Sequence, residues 1–242
     1  MDSAVKPDLV LSESLKTLGL ALDDRKQLLL LDYCRLLLEG LSKQRLTGED
    51  NIEDLISRQI YDCLFPIKKI AFENDSRIVD LGSGGGLPGI PLAICLPECR
   101  VYLLDANQKK ASFLEDTVHS LGLINVEVLR ERAEYYGRNV AYRERFNYVL
   151  SKAVAKAAVL AELALPLLLP GGKALFYKGP RGEQEMMEAA KALTLCGGRL
   201  ISQFDYALPA GESRAIYLVE KNAVTPAQYP RSVGKPGRRP LK

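Results

Sequence analysis

Apolar residues along this chain recur with two periods, and the change between them falls near Pro66. Residues 9 to 64 carry a helical period. The stretch "DDRKQLLLLDYCRLLLEGLSKQ" puts Leu28, Leu31, Cys34, Arg35 and Leu38 near one stripe, with Asp23 placed to cap it, and "NIEDLISRQIYDCLF" repeats the pattern after Asn51. Pro66 is expected to stop it. From Arg77 onward, short β-type runs alternate with longer amphipathic ones: "RIVDL" (77–81), "RVYLLD" (100–105), "VEVLR" (126–130), "YVLSK" (148–152) and "KALFYK" (173–178). Helical stretches such as "NQKKASFLEDTVHSLGL" and "AVLAELALPLLL" lie between them. This alternation predicts a parallel sheet covered by helices on both faces. The rhythm then breaks, because "RLISQFDYAL" and "SRAIYLVEK" are both strand-like and only "PAGE" separates them. They are expected to pair as an antiparallel hairpin. The predicted organisation is an α/β chain with an N-terminal helical extension (1–66), a sheet domain (67–222) and a C-terminal tail (223–242).

Composition narrows the function classes. With 242 residues, 47% hydrophobic and 26% charged, the chain is globular and long enough to bury a real core. No apolar stretch reaches the roughly 18 residues that would mark a membrane span. The start, "MDSAVKPDLV", lacks the basic-then-apolar order of a signal peptide, so a cytoplasmic protein is expected. Five cysteines in no CxxC arrangement, with His119 the one histidine, offer no zinc set, and no metal is expected.

The net charge of +3 is unevenly spread. The tail "YPRSVGKPGRRPLK" carries Arg231, Lys235, Arg238, Arg239 and Lys242 with no acid, whereas the other 228 residues hold 28 basic against 30 acidic side chains. Such a Pro- and Gly-rich basic segment is either a solvated tail or an arm for the phosphates of a nucleic acid.

Candidate chemistry centres on "IVDLGSGGGLPG", residues 78 to 89, where Asp80 and Gly82, Ser83, Gly84, Gly85 and Gly86 follow a buried strand. Glycine in that quantity belongs where the backbone takes unusual dihedrals or something approaches closely. In an open α/β sheet, ligands bind at the carboxyl ends of the strands. The run lacks the GK[ST] ending of a P-loop, and Leu87 occupies the place of the third glycine of the dinucleotide fingerprint. A tight turn without a ligand is the alternative. Asp105, 19 residues after Gly86, ends the second strand, where an acid accepts from ribose hydroxyls or else caps the next helix. Ala133 and Glu134, after the third strand, are placed to flank an adenine. A ribose and an adenine without a phosphate cradle point to S-adenosylmethionine, and the terminal hairpin favours a methyltransferase sheet over a dehydrogenase one.

Taken together, "VDLGSGGGLPGIPLAI", "LLDANQKKASFLEDTVHSLGLINVEVLRERAE", "SKAVA", "YKG" and "YPRSVGKPGRRPL" resemble the bacterial small-subunit ribosomal RNA methyltransferase G family, also called glucose-inhibited division protein B, from about "LSKQRLTG" at residue 41 onward. The resemblance implies a class I S-adenosylmethionine-dependent methyltransferase of Rossmann-like fold. It also implies methyl transfer to N7 of a guanine in the 530 loop of 16S rRNA, on the RNA or the 30S subunit, with a monomer favoured. The implied cofactor residues are Asp80, Gly82, Ser83, Gly84, Gly86, Leu87, Asp105, Ala133, Glu134 and Lys152. Lys178 and Lys152, at the ends of the fifth and fourth strands, are the cations expected to orient the guanine, and Arg231, Lys235, Arg238 and Arg239 those expected to meet RNA. Lys152 stands where the family usually has arginine, and Asn147 where it usually has an acid. The resemblance also allows the tail to pack beside the active site. Guanine N7 carries a lone pair and no proton, so the reaction needs no general base, and no His/Asp/Cys set is visible. Methylation of another RNA or of a small molecule, or RNA binding without catalysis, are the alternatives.

Overall fold

A computed structural model describes residues 6–41 and 46–242; part of the "LSKQRLTG" segment lies outside them. Seven strands, β1 (Arg77–Leu81), β2 (Arg100–Leu104), β3 (Val126–Leu129), β4 (Phe146–Lys152), β5 (Leu168–Lys178), β6 (Gly198–Ala207) and β7 (Ser213–Lys221), form one sheet in the order β3-β2-β1-β4-β5-β7-β6. The first five are parallel, while β7 runs antiparallel to both β5 and β6. The strand order reverses between β1 and β4, so the switch point lies at the glycine run.

Period-2 alternation divides the strand side chains between two cores. Ile78, Val101, Leu103, Leu150 and Leu175 face one, and Val79, Leu81, Leu104, Val149 and Phe176 the other. Strands apolar on both faces require cover on both. The first face is covered by α1 (Pro7–Leu18), α2 (Asp24–Leu41) and a helical segment at 52–68. That segment begins at α3 (Ile52–Asp54), widens to a π turn over Leu55–Ile60, continues as α4 (Tyr61–Leu64) and tightens to a 3-10 turn over Phe65–Lys68. Helix α5 (Gly89–Cys95) and Leu114 of α6 (Gln108–Ser120) join this core. The second face is covered by α7 (Ala133–Tyr136), α8 (Ala157–Ala164) and α9 (Gly182–Cys196). A last turn, α10 (Lys235–Arg238), lies in the tail.

Several local expectations shift. Asp23 and Asn51 do cap, each side chain accepting at 2.8 Å from the backbone N–H three residues on. The buried stripe of α2, however, runs through Leu30, Tyr33, Cys34 and Leu37, leaving Leu28 55% exposed and Arg35 in solvent. Leu31 and Cys34 of the expected stripe are buried and Leu38 is partly so, and the buried face is widened by Tyr33, whose hydroxyl donates to the Gly85 carbonyl at 3.0 Å. Pro66 does not end the helical path, since proline fits the first turn of the 3-10 segment. In "AVLAELALPLLL" the helix stops at Ala164, because Pro166 cannot extend it, and Leu168 and Leu169 enter β5.

The tail is folded against the domain rather than splayed into solvent, the arrangement the family resemblance allows: Tyr229 is buried, and Arg143 donates to the Tyr229 and Thr225 carbonyls at 2.8 and 2.6 Å. All five cysteines are buried and unpaired. Asn147 accepts at 2.9 Å from the Arg77 N–H at the start of β1. A carboxylate would serve that contact equally.

Candidate active site

The glycine run leaves β1 in a loop fixed by its own backbone. The N–H groups of Gly82 and Ser83 both donate to the Leu104 carbonyl, at 2.8 and 3.0 Å, tying the loop to the end of β2. Gly82, Gly84 and Gly86 have φ of 76°, 59° and 102°, a region that side chains disfavour. The close approaches come from the protein itself. A Cβ on Gly85 would meet Leu37 at 2.6 Å and Leu46 at 3.2 Å, so this glycine admits the N-terminal helices. One on Gly89 would meet Leu103 at 2.3 Å and Asp80 at 2.8 Å. At Gly84 a Cβ would meet only ordinary contacts, the Gly82 carbonyl oxygen at 3.9 Å and the Lys110 ammonium at 4.0 Å.

Two carboxylates hold this loop. Asp105 Oδ2 accepts from the Gly84 N–H at 2.9 Å, and its Oδ1 from the Asn107 N–H at 2.8 Å. Two acceptor positions of the four on this half-buried carboxylate remain for a ligand. Asp80 is fully buried beneath the loop, where Oδ2 accepts from the Gly89 N–H at 2.9 Å and Oδ1 has no partner. Burial pushes the Asp80 carboxyl up to about 7, against the lowering effects of the Gly89 hydrogen bond and the Lys152 charge.

Above the carboxyl ends of β1 and β2 opens a cavity of about 520 Å³, lined by Gly82, Asp105, Ala133 and Glu134 and also by Arg132, Val154, Ala155, Leu163, Gly234 and Gly237. The first four are the strand-end residues expected from the sequence. Ser83, Gly84, Gly86 and Leu87 shape the loop without lining the cavity; Ser83 is buried, its hydroxyl donating to the Asp80 carbonyl at 2.9 Å. Val154, Ala155, Gly234 and Gly237 lie within the "SKAVA" and tail motifs but were not assigned to the cofactor, since such residues have no polar side-chain chemistry to mark them. Gly234 and Gly237 also lie outside the span from Asp80 to Lys152 in which the cofactor residues were expected.

The two strand-end lysines are both tied down. Lys178, 9% exposed at its side chain, donates to the Ala155 carbonyl at 2.7 Å and to Glu185 Oε2 at 2.8 Å, which also accepts from the Ala157 N–H at 3.2 Å. It lines a second cleft, of about 460 Å³, that shares Val154 and Ala155 with the first. Lys152 lines neither. Its ammonium pairs with Asp62 Oδ2 at 3.2 Å and donates to Gln59 Oε1, both on the 52–68 segment. Burial alone would lower its pKa, but Cys63, the charge and hydrogen bond of Asp62, and Glu49 together raise it above the ordinary lysine value. Of the tail cations, Lys235, Arg238 and Arg239 are exposed, whereas Arg231 is bound to the buried Glu162.

A family model described as rRNA small subunit methyltransferase G (GidB) matches residues 26–206. The chain belongs to that family. Curated relatives agree: "Ribosomal RNA small subunit methyltransferase G" of Leuconostoc citreum is 39% identical over 86% of this chain and 88% of its own length. The protein of the same name from Desulfitobacterium hafniense is 42% identical over 86% and 87%. Among solved structures, TrmN from Thermus thermophilus superposes with a TM-score of 0.55 at 20% identity, covering 68% of this chain and 49% of that one. A putative sarcosine dimethylglycine methyltransferase from Galdieria sulphuraria gives 0.55 at 11% identity, over 79% and 98%. These two show the fold alone, that of a class I methyltransferase. The family's dependence on S-adenosylmethionine suits the cavity: a free acceptor pair on Asp105 fits a ribose diol. Among the described residues no group of side chains is arranged to hold a metal, and no helix is long and apolar enough to cross a membrane.

Proposed function

We propose that this chain transfers a methyl group from S-adenosylmethionine to N7 of a guanine in the 530 loop of 16S rRNA, in the cytoplasm and on RNA of the 30S subunit. The observation that carries the reading is the cavity at the switch point of a small-subunit rRNA methyltransferase G chain, lined by Gly82 of the glycine loop and by Asp105, with Asp80 buried beneath the loop. S-adenosylmethionine supplies a methyl group on a sulfonium sulfur, which departs with the bonding electron pair as a neutral thioether. Guanine N7 contributes its lone pair to the new C–N bond, the base gains one positive charge, and no proton moves. A site for this reaction therefore needs placement more than acid–base chemistry.

The residues supply that placement. Asp105 holds the ribose hydroxyls while its own orientation is fixed by Gly84 and Asn107. Asp80 fixes the loop from beneath, accepting from the Gly89 N–H. Lys178 uses two of its three donors within the protein, and the third is left for an acceptor such as guanine O6, so the ring is oriented while N7 stays free. Lys152, sequestered by Asp62, acts as a positioning residue that fastens the helical extension to β4. Exposed Lys235, Arg238 and Arg239 meet phosphates.

Mass mapping of 16S rRNA from cells with and without the gene tests the reading. A single methyl on a guanine of the 530 loop should disappear without the gene and return when purified protein and S-adenosylmethionine are added to the unmodified subunit. An unchanged methylation map in the absence of the gene would remove this substrate.

A further inference from the structure

The tail reaches the cofactor cavity by a series of anchors on the α7 and α8 side of the sheet. Arg138 donates to the Pro230 carbonyl at 2.7 Å, Arg231 seats on Glu162, and the Gly234 N–H donates to Glu134 Oε1 at 2.8 Å. Gly234 has φ of 75°, the left-handed region, and sits as the residue from which α10 starts. Beyond that anchor the backbone passes along the cavity, with Gly234 and Gly237 forming part of its lining beside Asp105 and Ala133. A Cβ on Gly237 would meet no atom within 4 Å. The wall there is bare backbone, and a side chain added to it would enter open space. The tail begins beyond residue 206, where the matched family model ends.

We propose that the carboxyl-terminal strap, from Arg231 through α10, is a wall of the cofactor site, with the backbone of Gly234 to Gly237 closing over the adenosine end of S-adenosylmethionine. Glu134 is then the anchor of the strap: its buried carboxylate engages the Gly234 N–H, which keeps Oε1 from the adenine edge. The inference rests on the cofactor reading above and adds residues to it. It also reverses a consequence of placing every cofactor residue before Lys152, because removal of the strap would open the site rather than leave it intact.

Two measurements on the full chain test the strap, with S-adenosylmethionine as the probe. In the first, trypsin cleavage after Arg231 and Arg238 is timed with and without saturating cofactor, and cleavage should slow at least about tenfold when it is bound, since the cut state binds cofactor poorly. In the second, calorimetric titration compares wild type with Gly237→Leu, which adds bulk to the cavity lining at a position where a Cβ meets no protein atom. Its Kd should rise at least about tenfold, equivalent to roughly 1.4 kcal/mol, at an unchanged melting temperature. Should Gly237→Leu fail to fold, Glu134→Val and Glu134→Gln replace it. The valine variant, lacking the acceptor, should be cut after Arg238 about tenfold faster without cofactor, while the glutamine variant, which keeps a carbonyl acceptor, should resemble wild type. Cofactor binding with no protection of Arg231 and Arg238, or a Gly237→Leu Kd equal to wild type, overturns the strap and leaves the cofactor reading standing. A wild-type chain that does not bind S-adenosylmethionine overturns both.

Discussion

Glu162, wholly buried on α8, is neutralised by Arg231 from the tail: Oε1 accepts from the Arg231 backbone N–H at 2.7 Å and from Nε at 2.8 Å, and Oε2 accepts from Nη2 at 2.6 Å. A cation that sequence reasoning offers to RNA is thus a structural rivet. Breaking a buried pair strands the remaining charge, at a cost of about 3–5 kcal/mol. Arg231→Ala should therefore lower the urea midpoint sharply, and Arg231→Lys, which keeps the charge and loses the planar fork, should fall between. An unchanged midpoint in Arg231→Ala would return this arginine to the candidates for phosphate contact.

Lys152 and Asp62 make the corresponding pair on the other face of the sheet, 3.2 Å apart, with Tyr206 donating its hydroxyl to the second Asp62 oxygen. The π turn at Leu55–Ile60 lies just before Asp62 and carries Gln59, the other group bound to Lys152. Lys152→Ala should loosen this segment, lowering stability by about 3–5 kcal/mol and speeding hydrogen exchange over residues 52–68. Loss of S-adenosylmethionine affinity with no change in exchange there would instead place the lysine in the cofactor site.

What the sequence discloses and what it hides follow from the range of the interactions. Strands were legible because alternation of apolar residues is local, and β1 is found at the residues read for it, 77–81. The places of Gly82 and Asp105 were legible because strand ends at a switch point are where an α/β sheet binds. The roles of Lys152 and Arg231 were not, since each is decided by an acid distant in the chain, in Arg231's case 69 residues away. The stripe of α2 was legible only in part: Leu31 and Cys34 are buried, while Tyr33 and its contact with Gly85 carried no signal of their own. Glu134 was read as facing adenine from its strand-end place, while its partner proved to be a backbone N–H from the tail.

Asp80 makes stability depend on pH. Burial raises its folded-state carboxyl to about 7 from the ordinary value of 3.8, so between these values the native state holds a proton that the unfolded chain releases. Stability should consequently fall as pH rises through that window, by at most about 1.4 kcal/mol per pH unit from this one group. Asp80→Asn should remove that component. The check is urea denaturation of both proteins from pH 5 to 8: the wild-type stability minus the variant's should decline with pH, and a flat difference would show that Asp80 is ionised throughout.

Lys178 links two requirements that side-chain chemistry alone would separate. Its ammonium holds the Ala155 carbonyl, and Ala155 lines the cofactor cavity. Ala153, two residues earlier, has φ of 57°, so the turn is strained and depends on such supports. Lys178→Ala should depress kcat about tenfold or more through the acceptor base and also weaken S-adenosylmethionine binding by a smaller factor through the turn. Glu185→Gln, which keeps an acceptor for the Ala157 N–H, should spare the cofactor and show a milder loss of kcat. A Lys178→Ala enzyme with wild-type kcat would exclude contact with the guanine.

The exposed cations of the strap call for a different readout from its anchors. Lys235, Arg238 and Arg239 project from the same short segment whose backbone lines the cavity, so phosphates bound there would lie at the mouth of the cofactor site. Contacts of that kind release counterions, and each contributes about 0.7–0.9 to the slope of log K against log salt. Replacing these three by serine, with Arg231 retained to keep the strap seated, should lower rRNA affinity at low salt and make the slope shallower by roughly 2–3. The melting temperature should hold, because none of the three forms an ion pair among the described residues. A slope equal to wild type would mean that RNA approaches the site from another side, leaving the strap with its structural part alone.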